Sequence, residues 1–183
     1  MARSFAFRKS LVTVALCLSA LHCPQALSDW RDVLPGTRLV GQADFQWYGF
    51  DIYQARLWST AATPSLETAF ALELNYRRAI GKASLVETSL KEMQRLNGAP
   101  LDAKRRDEWA AHMRGAFIDV KPGSRITGLY LPGQGCRFYV DEKLSLAITD
   151  PLFAQSFFAI WLDAKSRDSS LRNQLLGIQT SSE

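Results

Sequence analysis

Four side chains stand out as able to hold or act on a small molecule: Asp51, Tyr53, Arg56 and Tyr76. The first three lie in the run Gly49-Phe50-Asp51-Ile52-Tyr53-Gln54-Ala55-Arg56-Leu57-Trp58, whose β-branched and aromatic content reads as a central strand. Alternation with period two gives one face Phe50, Ile52, Gln54, Arg56 and Trp58, and the other Asp51, Tyr53, Ala55 and Leu57. Asp51 and Tyr53 then share a face, an acid beside a hydroxyl on the wall of a partly polar cleft. The plainer alternative for Asp51 is a solvated carboxylate near a hairpin. Arg56 offers a guanidinium for an ion pair or for a ligand carboxylate. Tyr76 closes a second alternating run, and Arg77 behind it suits a structural ion pair.

The remaining groups with reactive chemistry are fewer. Cys17, Cys23 and Cys136 are the three cysteines, and His22 and His112 the two histidines. Cys136 has only Arg137 as a cationic neighbour, so it reads as a small core residue and not as an activated thiolate. His112, in Trp109-Ala110-Ala111-His112-Met113, reads as part of a helix face, since no Ser, Cys or carboxylate is fixed beside it. One cysteine and one histidine build no zinc site of the usual kind, and no cofactor is implied.

That count rests on setting aside residues 1–28, which read as an export signal. Arg3, Arg8 and Lys9 form a basic start, Leu11 to Leu21 an apolar stretch too short to span a bilayer stably, and Ala26-Leu27-Ser28 a small-x-small cleavage site. The expectation is cleavage before Asp29, residence in the periplasm, and no membrane span in the mature chain. Removing the three signal cations leaves 19 Lys and Arg against 18 Asp and Glu. The net charge of +4 then falls to +1, with no basic face for nucleic acid. The 155 residues from 29 to 183 suit one domain with one core.

The elements that must position these groups follow from the changing period. Thr37 to Gly41 and Ala43 to Trp47 read as one strand, broken or bulged at Gly41, and Tyr48-Gly49 as the turn before the central strand. In Phe70-Ala71-Leu72-Glu73-Leu74-Asn75-Tyr76 the residues Phe70, Leu72, Leu74 and Tyr76 face inward, and Glu73 and Asn75 face water. From Lys82 the period becomes helical, with Ala83, Val86, Leu90 and Met93 on one stripe and Asn97-Gly98 as its end. A second helix over 102–117 places Trp109 and Met113 inward. Three short strands follow, at Arg125 to Leu131, Cys136 to Val140 and Leu144 to Thr149. Asp150-Pro151 starts another helix, in which Phe153, Phe157 and Trp161 read chiefly as core, and Asp168 or Ser169 caps a last one ending at Gly177. This order predicts an α+β fold from about Asp29 to Gly177, with helices on one face of an antiparallel sheet.

In series, several of these stretches resemble the chalcone isomerase-like family, in particular its exported bacterial members. They are Phe50 to Trp58, Leu72-Glu73-Leu74-Asn75-Tyr76-Arg77-Arg78, Phe117-Ile118-Asp119-Val120-Lys121-Pro122-Gly123, and Phe157-Phe158-Ala159-Ile160-Trp161-Leu162 leading to Leu171-Arg172-Asn173-Gln174-Leu175-Leu176-Gly177. The resemblance implies an open-faced β-sandwich: a large antiparallel sheet, helices packed on it, and a cleft between the layers.

In the plant enzymes of that family an Arg on the strand before the central one orients the substrate oxyanion. A Thr on the central strand and a later Tyr bind the ketone through water. By resemblance Tyr53 stands where that Thr does, and the Arg position falls at about Gly41. Arg38 is three residues too early, on the wrong face unless a bulge at Gly41 restores the phase. The later Tyr has no counterpart, with Trp109 and His112 in the comparable helix. Loss of an oxyanion donor typically costs ~10²–10³ in rate, so chalcone cyclisation is not expected. The expectation is a non-catalytic binder of an apolar or fatty-acid-like small molecule, with Tyr53, Asp51, Arg56 and Tyr76 as ligand-binding residues. An isomerase or lyase acting on a small carbonyl compound, and a periplasmic protein-interaction module, are the alternatives.

Overall fold

The computed structural model describes residues 29–178, and the export signal read at residues 1–28 lies outside them. The elements run α1 (Trp30–Val33), β1 (Arg38–Trp47), β2 (Phe50–Ser59), β3 (Phe70–Tyr76), α2 (Lys82–Asn97), α3 (Ala103–Ala116), β4 (Arg125–Leu131), β5 (Gly135–Val140), β6 (Lys143–Ile148), α4 (Pro151–Leu162) and α5 (Ser169–Leu175). The six strands form one antiparallel sheet in the order β1-β2-β3-β4-β5-β6. The expected α+β architecture is the one observed. The strand read as central, β2, is second from the edge, and β3 and β4 take the middle.

Helix starts follow local capping chemistry. Asp102, Asp150 and Asp168 each accept a backbone N–H of the first turn of α3, α4 and α5, and Pro151 occupies the first position of α4. Gly81 at the start of α2 has no side chain to offer, and Asp119 supplies the acceptor from another segment, 2.7 Å from the Lys82 nitrogen. Gly98 ends α2 in the left-handed conformation at φ 68°.

The main core lies between the sheet and α2 to α5. Ala43, Ala55, Leu57, Phe70, Leu72, Leu74 and Phe138 from the strands meet Leu90, Met113, Phe153, Phe157, Phe158 and Leu175 from the helices. α5 covers β1, α4 covers β4 and β5, and α3 covers β6. α2 packs chiefly on α3 and α4, so it stands off the sheet above β2 and β3. Its buried stripe is Val86, Leu90 and Met93, while Ala83 at the first turn is exposed.

The opposite face of the sheet is covered in part by α1, an element absent from the sequence reading. Trp30 is fully buried there against Ala71, Leu129 and Tyr139, and the Arg31 guanidinium lies 4.3 Å above the Trp30 ring. Glu73 is on this face and does not meet water as expected: it is 2% exposed. Arg56 at 3.5 Å and Arg125 at 3.9 Å flank its carboxylate, because both are its same-face neighbours on the adjoining strands.

Candidate ligand-binding site

Because α2 stands off the sheet, a cavity of about 500 Å³ opens beneath it. Phe45, Trp47, Ile52 and Tyr53 from the β1–β2 hairpin, Leu72, Leu74 and Tyr76 from β3, and Phe157, Ile160 and Trp161 from α4 wall it. Ser84, Leu85, Thr88, Lys91 and Glu92 of α2 and Ser166, Arg167 and Asp168 before α5 also belong to the lining. Of these, Ser84, Thr88, Lys91 and Arg167 are solvent-exposed, so polarity is concentrated at the rim. The volume falls within the ~300–1,000 Å³ usual for small-molecule sites.

Against the sheet, the cavity's polar groups include two phenols, Tyr53 and Tyr76, while the half-buried Ser89, Glu92, Ser166 and Asp168 also belong to the lining. The Trp161 Nε1–H donates to the Tyr53 hydroxyl at 3.0 Å. Tyr53 stacks on Phe45 at 4.9 Å between ring centroids and meets Tyr76 edge-on at 5.8 Å. Burial pushes the Tyr53 phenol well above its ordinary value, against the hydrogen bond from Trp161 and with a smaller push from the Asp168 charge. Burial, and then Tyr53, do the same to Tyr76. Both therefore stay protonated. No described residue accepts the Tyr53 or Tyr76 O–H proton, so each phenol has a hydrogen to give a ligand.

Two of the four expected ligand-binding residues are thus brought together, and two are turned away. Asp51 and Tyr53 do not share a face. Phe45 pairs with Tyr53 and the adjacent Gln46 pairs with Asp51, so Ile52 is the extra residue of a β-bulge. The bulge breaks the period-two alternation and sends Asp51 outward, where Gln46 Nε2 donates to it at 2.8 Å and Arg77 pairs with it at 3.5 Å. Arg56 lies outward too, held by Glu73 and by its Nε–H bond to Gln54 at 3.1 Å. Ile52 takes the inward place instead.

The second bulge, at Val40, lies between the Leu39–Trp58 and Gly41–Leu57 pairs and does restore the phase of Arg38. Arg38 pairs with Ser59, on the face that carries Tyr53. It is six residues along β2 from Tyr53, roughly 20 Å at strand spacing, too far to share a ligand atom. A Cβ at Gly41 would overlap the carbonyl oxygens of Gln174 and Leu175, so the end of α5 fills the place of any side chain there.

Elsewhere, His112 rests against the Phe153 ring at 5.3 Å, as a helix-face residue does. Cys136 is buried, its thiol pushed up to about 12 by desolvation and then by the Asp150 charge. No three His, Cys, Asp or Glu among the described residues are grouped to hold a metal. No described helix is long and apolar enough to cross a membrane.

The family's sequence profile, described as chalcone isomerase-like, matches residues 43–177. The chain belongs to the chalcone isomerase-like family. No curated protein matches this chalcone isomerase-like chain in sequence. Its fold is similar to the crystal structure of a fatty-acid binding protein from Arabidopsis thaliana, with a TM-score of 0.58 and 11% identity over 78% of this chain and 88% of that one.

Phe153, Phe157 and Trp161 were all expected as core. Phe153 is fully buried, whereas Phe157 and Trp161 are buried and also line the cavity. Among the lining residues that sequence reasoning missed are those on α2: Leu85, Thr88 and Glu92 recur at helical spacing beside the buried stripe. That second, mixed stripe was the available signal.

Proposed function

We propose that this chalcone isomerase-like protein is a non-catalytic binder of an apolar small molecule, held between α2 and the sheet. The cavity of about 500 Å³, walled chiefly by aromatic and aliphatic side chains and holding the neutral phenols of Tyr53 and Tyr76, carries this reading. A flexible apolar chain fills such a space, and a single acceptor atom on it meets Tyr53 or Tyr76. An acyl chain has both features. The likeness in fold to a plant fatty-acid binding protein supports the same class of ligand.

Charge placement sharpens the ligand's chemistry. The cations of the lining are Lys91 and Arg167 at the rim, and each already faces a carboxylate, Glu87 at 3.7 Å and Glu92 at 2.6 Å. An ionised carboxylate at the phenols would be desolvated without a cation, so a carbonyl, ester or protonated acid is the better fit there. Cyclisation chemistry gains no support: the one arginine among the lining residues is Arg167 at the rim, and the Gly41 position is closed by α5.

Calorimetric titration with a long-chain methyl ester and with its free carboxylate tests the reading. The ester should bind saturably with a negative heat-capacity change. Absence of binding by either compound would end it. Export to the periplasm is part of the proposal, supported by the sequence of residues 1–28, and an intact mass that still includes Met1 in protein recovered from the periplasm would contradict cleavage at Ser28.

A further inference from the structure

The turn between β1 and β2 carries three large rings into solvent. Trp47 is 47% exposed, Tyr48 86% and Phe50 53%. Tyr48 and Gly49 have φ of 49° and 78°, both positive, the pattern of a type I′ hairpin turn. Asn and Gly favour that first position, and a bulky ring there is conformationally costly. Tyr48 recovers little from the described residues, among which its one aromatic contact is edge-on to Trp47 at 5.1 Å. A strained and exposed residue that does little for its own fold points to a contact outside the chain.

The surroundings of the tip indicate what it meets. The Arg78 guanidinium lies 4.3 Å above the Phe50 ring, and among the described residues no carboxylate pairs with it. Its neighbour Arg77, by contrast, is neutralised by Asp44 at 2.7 Å and Asp51 at 3.5 Å. Trp and Tyr settle at the headgroup level of bilayers, and a free Arg beside them is drawn to anionic lipid. A two-residue turn with three rings is also far smaller than the ~800 Å² per side of a standard protein interface. Trp47 belongs to the cavity wall as well, so the tip adjoins the binding site.

We propose that the Trp47-Tyr48-Gly49-Phe50 tip, with Arg78, docks the protein onto an anionic lipid surface and holds the cavity beside it. An apolar ligand is concentrated in lipid, and a tip seated there shortens its passage through water. The inference rests in part on reading the cavity as a site for apolar ligands, and its test separates the two.

The test is co-sedimentation with vesicles of phosphatidylcholine, with and without phosphatidylglycerol, using purified protein whose N-terminus is fixed by intact mass. Wild type should bind the anionic vesicles. Tyr48→Asn with Phe50→Ser should abolish that binding, and the Asn-Gly turn it creates favours the same hairpin, so the fold is kept. Arg78→Gln should lower partition to anionic vesicles about fivefold, one surface cation's worth, and leave partition to pure phosphatidylcholine unchanged. Ester binding in solution should survive in all these variants, because Tyr48, Phe50 and Arg78 do not line the cavity. No vesicle binding by wild type, or equal binding by the tip variant, overturns the inference. Vesicle binding by the tip in protein that takes no ligand leaves it standing and removes the proposed function instead.

Discussion

The indole N–H of Trp161 on α4 and the hydroxyl of Tyr53 on β2, 3.0 Å apart, join the helical layer to the sheet across the wall of the cavity. The phenol accepts from the indole and keeps its own proton for a ligand. One hydroxyl therefore serves packing and binding together.

Tyr53→Phe should show both roles. It leaves a buried indole N–H without its acceptor, so the fold should lose about 1–3 kcal/mol in urea unfolding. Ester affinity should fall by a further ~0.5–1.5 kcal/mol, one hydrogen bond. Trp161→Phe should destabilise less than additively when combined with Tyr53→Phe, and strict additivity would mean that the pair is not coupled.

Gly41→Ala sets a methyl group against the carbonyl oxygens of Gln174 and Leu175. Overpacking of this kind costs about 1–3 kcal/mol or more, readable as a lower urea midpoint. Gly41→Arg should fold worse still and produce no chalcone turnover. A stable Gly41→Arg protein that cyclises chalcone would contradict the account of that position.

Glu73→Ala leaves Arg56 and Arg125 facing each other on the outer face of the sheet. The expected loss is about 1–3 kcal/mol, below that of a fully buried pair, because the arginine side chains remain 37% and 32% exposed. Ligand affinity should not change in Glu73→Ala or Arg56→Gln. A marked loss of ester binding in Arg56→Gln would return Arg56 to the site.

The sequence reading and the structure part at identifiable places. Alternation in β3, the helical stripe ending at Asn97-Gly98 and the Asp150-Pro151 start were legible because local preference and tertiary packing agree there. The Ile52 bulge was not, since nothing in Asp51-Ile52-Tyr53 marks an extra residue, and one slip turns Asp51 to the other face. Glu73 looked solvated because its burial depends on Arg56 and Arg125, two strands that alternation within β3 does not see. The cavity itself depends on how far α2 stands from the sheet, a distance that no local pattern encodes.

Alkaline pH should weaken the fold through the buried phenols. Tyr53 and Tyr76 ionise at about 10 in an unfolded chain and higher when folded, so the folded state holds their protons more tightly. Their contribution is fully present below pH 10 and is lost as pH rises above it. The melting temperature of wild type should drop more steeply above pH 10 than that of Tyr76→Phe. Parallel curves would show that burial does not perturb Tyr76.

The central claim is that the space between α2 and the sheet holds an apolar molecule. Native mass spectrometry of the protein isolated from the cells that produce it tests this most directly. The account predicts a one-to-one adduct of an organic molecule that is lost in Leu85→Trp, where an indole fills the cavity from α2. A bare polypeptide mass, unchanged after incubation with lipid extract from the same cells, would contradict it.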